Sequence, residues 1–205
     1  MANLNALYGD LNSNVQELAA KFVDKFIPAD PAASPSIYEL DVRAYCVLSH
    51  AAFEDFIEAV VLAVCGHAVD QWITARKTTD VVLALLCWNG AKLTIDDDEN
   101  SPETKPFDYL RPLVENAKAA FSREVHMNHG VSVRYLRSLL IPVNIEVPQD
   151  ANLLNSLGKL AEGRGTYAHK GRVKSVLVPE DAKRYVEDVL RLCDNICKQA
   201  VAKLA

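Results

Sequence analysis

The chain has 205 residues, half of them apolar and 24% charged, and 27 acidic against 22 basic side chains give it a formal charge of −5. These proportions exclude a disordered or collagen-like chain, and the length allows one domain with a sizeable core. Eight Gly and nine Pro argue against a turn-rich all-β fold, and the acidic balance argues against coating nucleic acid by bulk charge.

The N-terminus, Met1-Ala2-Asn3-Leu4-Asn5, has no basic stretch and no apolar run, so it does not read as a secretory signal. The longest apolar runs, Ala59–Cys65 and Val81–Trp88, fall short of the roughly 18 residues of a membrane span. The expectation is a cytoplasmic protein without a membrane partner. Its five cysteines then read as reduced and mostly buried. Cys193 and Cys197 stand at i,i+4, where a redox or metal pair is the alternative.

Helical periodicity runs nearly throughout. Leu11–Ile27 carries a 3.6-residue stripe of Leu11, Val15, Leu18, Phe22, Val23 and Phe26. Residues 28–35 form a Pro/Ala/Ser connector, and 1–35 reads as an N-terminal helix and linker ahead of a core bundle over 36–205. Ser34-Pro35 opens a long helical pattern from Ser36 to about Ala68, with Gly66 as a weak point. Thr79–Asn89 is an apolar segment open to a buried helix or a strand; a cap at Thr78-Thr79-Asp80 and the absence of alternation favour helix, stopped by Asn89-Gly90. Asp96 to Pro102 is an acidic loop that lacks the spaced ligands and turn glycine of a calcium site. Asp108–Met127 is amphipathic and ends at Asn128-His129-Gly130. Val131–Leu140 is a short helix, and Pro142–Pro148 reads as a loop. Asp150 caps a leucine-rich helix that Gly163 is expected to interrupt, and Pro179-Glu180-Asp181 opens the last helix. The sum is an all-α single domain, a helical bundle.

The unusual stretch is Gly163-Arg164-Gly165-Thr166-Tyr167-Ala168-His169-Lys170-Gly171-Arg172. Each helical glycine costs roughly 1 kcal/mol relative to alanine, so three within nine residues imply special backbone geometry. Between Lys159 and Lys174, five basic residues (Lys159, Arg164, Lys170, Arg172, Lys174) face one acid, Glu162. This window carries +4, which leaves −9 on the rest of the chain.

Such a basic island on an acidic protein suits a phosphate ligand. Arg164 can hold two phosphate oxygens without losing its charge, and His169 titrates near neutrality and can move a proton. Five residues apart, they diverge by about 140° on a regular helix. They converge only if the glycines break the helix or a second subunit completes the site. The plain alternative is a surface arginine and a capping or core histidine in a structural bundle.

Several other residues invite two readings. Glu54 is one turn from His50 and from Glu58, as a surface carboxylate or a site support. His126 and His129 at i,i+3 suggest a cap more than a metal pair, since no third ligand is evident. His50 and His67 suit packing. Thr166 reads as a cap after Gly165, and Tyr167 as a packing residue or a platform for a base. Lys170 and Arg172 read as solvated or as RNA contacts.

Arg164-x4-His169 near the start of a last helical segment resembles the HEPN superfamily. Asn128-His129-Gly130-Val131, Tyr135-Leu136-Arg137-Ser138-Leu139-Leu140 and Ala168-His169-Lys170-Gly171 are similar to its RiboL-PSP-like branch. Ala51-Ala52-Phe53-Glu54-Asp55-Phe56-Ile57-Glu58 looks like that family's early helix, which carries a glutamate. The similarity covers roughly residues 36–200.

The resemblance implies a bundle that dimerises across the motif face. It also implies a metal-independent ribonuclease without cofactor that leaves 2′,3′-cyclic phosphate ends. A role as toxin or anti-phage effector follows, with an antitoxin or regulatory partner as a further expectation. Carried over, Arg164 binds phosphate, His169 transfers protons, and Glu54 supports the site. Two departures stand out. Gly165 occupies a place that is usually polar, and His169-Lys170-Gly171 lacks the tyrosine that one branch offers for modification. A HEPN module that binds RNA or nucleotide, or dimerises, without catalysis is the alternative.

Overall fold

The computed structural model describes residues 3–93, 105–127, 130–170 and 177–204, with the backbone alone at 163–170. Among the described residues there are seven α-helices, three short 3-10 turns and no strand. The all-α reading therefore holds.

The first helix, α1 (Leu4–Phe22), starts at Asn3, whose side chain accepts from the Ala6 N–H at 3.1 Å. After 3-10 turns at Asp24–Phe26 and Pro35–Ile37 comes α2 (Glu39–Ala75), 37 residues long. At 1.5 Å per residue it extends about 55 Å. It runs straight past Gly66, contrary to the expected weak point. Val64, Cys65, Ala68 and Val69 flank that glycine and are buried, and their burial outweighs a propensity cost of about 1 kcal/mol. The helix ends at Arg76, which takes the left-handed conformation (φ 57°) while its N–H bonds to the Trp72 carbonyl. Its guanidinium lies over the Phe107 ring, which in turn stacks on Trp72 at 4.9 Å. That stack offsets the cost of a non-glycine residue in this region.

The third helix, α3 (Asp80–Trp88), is a helix and not a strand; of the expected Thr78-Thr79-Asp80 cap it is Thr79 that serves, and Gly90 (φ 63°) ends it. Next are α4 (Pro106–Met127) and α5 (Val133–Leu140). The latter starts two residues later than periodicity suggests, because the Ser132 hydroxyl takes the Tyr135 N–H at 3.2 Å. A 3-10 turn at Ile141–Val143 leads to α6 (Ala151–Lys170) and then α7 (Pro179–Leu204).

The spine of the bundle is α2, which packs against α1, α3, α4, α6 and α7. Its Phe53, Ile57, Val60, Val61 and Val64 are fully buried, and Val186, Val189, Leu192, Cys193 and Ile196 of α7 are equally enclosed. Apolar positions on most of its faces are what a helix surrounded by others requires. On α1, Leu4, Leu11, Val15 and Ala19 bury into the same core, and the helix packs on α2 and α7. Cys197 donates its Sγ hydrogen to the Leu4 carbonyl at 3.4 Å. Cys46, Cys65, Cys193 and Cys197 are buried free thiols, and Cys87 is exposed. Burial pushes the Cys46 thiol up to about 12 and the Cys65 thiol to about 11. Among the described residues no helix is long and apolar enough to cross a membrane.

Candidate functional site

The helix that carries Arg164 and His169 is anchored at its start. Asp150 Oδ1 accepts the N–H groups of Asn152 (2.8 Å) and Leu153 (3.3 Å), as its expected capping role requires. Leu153, Leu157 and Leu160 are buried, and α6 packs on both α2 and α7. Ser156 donates to Asp188 of α7 at 2.6 Å. Beyond this seat the helix continues without interruption to Lys170.

Gly163 does not break the helix, which corrects the expectation from composition. The burial and capping of the first three turns carry the helix through residues whose intrinsic preference is poor. Thr166 also stands inside α6 and heads no new helix, so a capping role for it is ruled out. Arg164 and His169 are on one continuous helix, five residues apart. Of the two arrangements that bring them together, a break within the chain is absent.

For Arg164, Thr166, Tyr167, His169 and Lys170 the described part is the helical backbone, and Arg172 and Lys174 lie outside the described residues. So do the acidic stretch Asp96–Pro102, Asn128 and His129 of the His126/His129 pair. Lys159 is exposed and pairs with Glu162 at 3.7 Å across one turn, an interaction worth little in water. Among the described residues no three His, Cys, Asp or Glu side chains group to hold a metal.

Glu54 has a defined role. Its Oε1 accepts the N–H of Gly130, a residue with φ 94° that only glycine adopts without strain. One turn earlier, buried His50 brings Nε2 to 3.1 Å from the Val131 nitrogen and 3.2 Å from its carbonyl oxygen. The imidazole accepts from the first or donates to the second, according to tautomer. One turn later, Tyr135 donates to Glu58 Oε1 at 2.5 Å. His50, Glu54 and Glu58 thus form a ladder at i, i+4 and i+8 that clasps the start of α5 to the spine. Sequence spacing shows that the three share a face, but says nothing of what they hold.

The sequence alone gives Arg134 and Arg137 no role, although Arg137 stands in the Tyr135-Leu136-Arg137-Ser138-Leu139-Leu140 motif. Both are exposed on α5, and their signal is a stretch of sequence without acids.

The chain matches the RiboL-PSP-HEPN family over residues 10–202, from within α1 to the last turns of α7. Nothing among curated proteins or solved structures matches it.

Proposed function

Because the chain belongs to the RiboL-PSP-HEPN family, we propose that it is a metal-independent endoribonuclease acting as a homodimer. The observation that carries this reading is the Arg164-x4-His169 motif on an unbroken α6, inside a chain matched to the family almost end to end. Positions five residues apart on a continuous helix are separated by about 140° around its axis, which favours a cleft completed by a second copy.

In this mechanism Arg164 binds the non-bridging oxygens of the scissile phosphate and offsets the charge that builds up there. A neutral His169 takes the proton from the ribose 2′-hydroxyl, whose oxygen attacks phosphorus in line. The partner's histidine, protonated, gives its proton to the departing 5′-oxygen. The products are a 2′,3′-cyclic phosphate and a 5′-hydroxyl end. Tyr167 stacks on a base, and Lys159, Lys170, Arg172 and Lys174 hold the backbone. Glu54 supports the site at a distance through the Gly130 turn. A cytoplasmic toxin or anti-phage effector, restrained by an antitoxin or regulatory partner, is the setting that fits.

Gly165, in a place that is usually polar, favours a second reading, in which the domain binds RNA or nucleotide without cutting.

The test is cleavage of labelled RNA in EDTA by purified protein. The nuclease reading expects cutting that Arg164→Ala and His169→Ala each abolish at unchanged melting temperature. Expression toxicity is expected to vanish with His169→Ala. Binding without cutting by clean wild type supports the second reading and removes the first.

A further inference from the structure

Charge on this surface is mostly paired. On α7, Lys183, Arg184, Arg191 and Lys198 each meet an aspartate, and on α4 Arg111 meets Glu115 while Lys118 meets Asp70. The α5 helix breaks this pattern. Its eight residues, Val133–Leu140, contain Arg134 and Arg137 and no acid. From Val125 to Ile145 the sequence holds those two arginines and no Asp or Glu. Both are exposed, and among the described residues neither has an ion-pair partner. The carboxylate that α5 does touch, Glu58, is taken by the Tyr135 hydroxyl.

The two arginines stand at i,i+3, neighbours on one helix face. That helix is fixed in place by the Ser132 cap, the Tyr135–Glu58 bond and the buried Leu136, Leu139 and Leu140. It packs against α6, which carries Lys159, Arg164 and Lys170 of the basic island. In a protein of net −5, two guanidinium groups on a fixed helix, without an ion-pair partner among the described residues, suit an anionic ligand.

We infer that Arg134 and Arg137 form a phosphate-binding surface that carries single-stranded RNA toward the α6 motif. This rests on the ribonuclease reading and extends it from the scissile phosphate to the neighbouring strand. The arginines position the RNA and take no part in the chemistry.

The test uses the full chain and a short single-stranded 2′-O-methyl RNA, which keeps its phosphates but lacks the attacking hydroxyl. Kd is measured against salt concentration. Arg134→Ala/Arg137→Ala is expected to weaken binding about tenfold. It should also flatten the log–log salt slope by about 1.4, close to 0.7 for each phosphate no longer neutralised. Arg134→Lys/Arg137→Lys should keep the slope. Arg184→Ala/Arg191→Ala, the same charge change on α7, should leave both quantities as in wild type.

If the alanine variant retains the wild-type slope and Kd, the α5 surface is overturned, the ribonuclease reading stands, and those arginines face a protein instead. If wild type neither binds this probe nor cuts RNA, the ribonuclease reading falls and the inference falls with it. Circular dichroism melts of the variants, expected to match wild type because both side chains are exposed, separate weakened RNA binding from a damaged fold.

Discussion

Tyr135 donates its hydroxyl hydrogen to Glu58 at 2.5 Å, across 77 residues of sequence, and so ties α5 to the spine helix. A hydrogen bond to a charged acceptor in a half-buried place is worth about 1.5 kcal/mol. Tyr135→Phe is expected to lower the melting temperature by about 3–6 °C for a chain of this size. Glu58→Gln, which keeps an acceptor, should cost less than half of that. Thermal melts followed by circular dichroism give both numbers. Equal losses would mean that the charge on Glu58 matters more than the hydrogen bond itself.

Two glycines should respond oppositely to alanine. A Cβ at Gly66 meets nothing within 4 Å, and the residue is inside a helix, so Gly66→Ala should stabilise by about 0.5–1 kcal/mol. Gly130 has φ 94°, where a Cβ is strained, so Gly130→Ala should destabilise by about 1–2 kcal/mol. Urea unfolding of the two variants checks the signs.

Two buried serines form a similar pair. The Ser49 hydroxyl is enclosed and has no hydrogen-bond partner among the described residues, while Ser156 donates to Asp188 at 2.6 Å. Removing an unmatched hydroxyl relieves its desolvation, so Ser49→Ala should leave stability unchanged or raise it by up to about 1 kcal/mol. Ser156→Ala removes the donor to Asp188 Oδ2 while Arg191 stays at 3.1 Å from Oδ1, and should cost about 1 kcal/mol. The same unfolding experiment decides between them.

The thiols predict an alkaline limit. Burial holds Cys46 up to about 12 and Cys65 to about 11, whereas the unfolded thiol titrates near 8.5. Above that pH the unfolded chain binds fewer protons than the folded one, so stability falls as pH rises. The urea midpoint should decline above about pH 8, with a shallower decline in Cys65→Ala. A colorimetric thiol reagent should meet one fast group, Cys87, in the native protein and all five in denaturant.

The helices could be read from the sequence wherever a cap and a period agreed. Thr79 before Val81, Asp150 before Leu153 and Pro179 before Val186 each marked a start that the structure keeps. The weak point expected at Gly66 and the interruption expected at Gly163 are absent because propensity is a local quantity of about 1 kcal/mol, whereas the burial that overrides it is supplied by distant helices. The candidate site follows the same rule. That Arg164 and His169 share one continuous helix does not follow from their spacing, because Gly165 stands between them and the burial that carries the helix lies earlier in α6. That Glu54 holds Gly130 and that His50 holds Val131 does not follow either, because 76 and 81 residues separate the partners. Register along one helix shows which side chains are neighbours on it, but not what lies across the gap.

The continuity of α6 bears on control. From Ala151 to Lys170 there is no joint, and its opening turns are wedged between α2 and α7. Arg164 therefore has no hinge about which its backbone could swing independently of His169. On the proposed two-copy reading, control falls on displacing the whole rod or on how often two such rods meet, which makes the protein's own abundance a natural throttle.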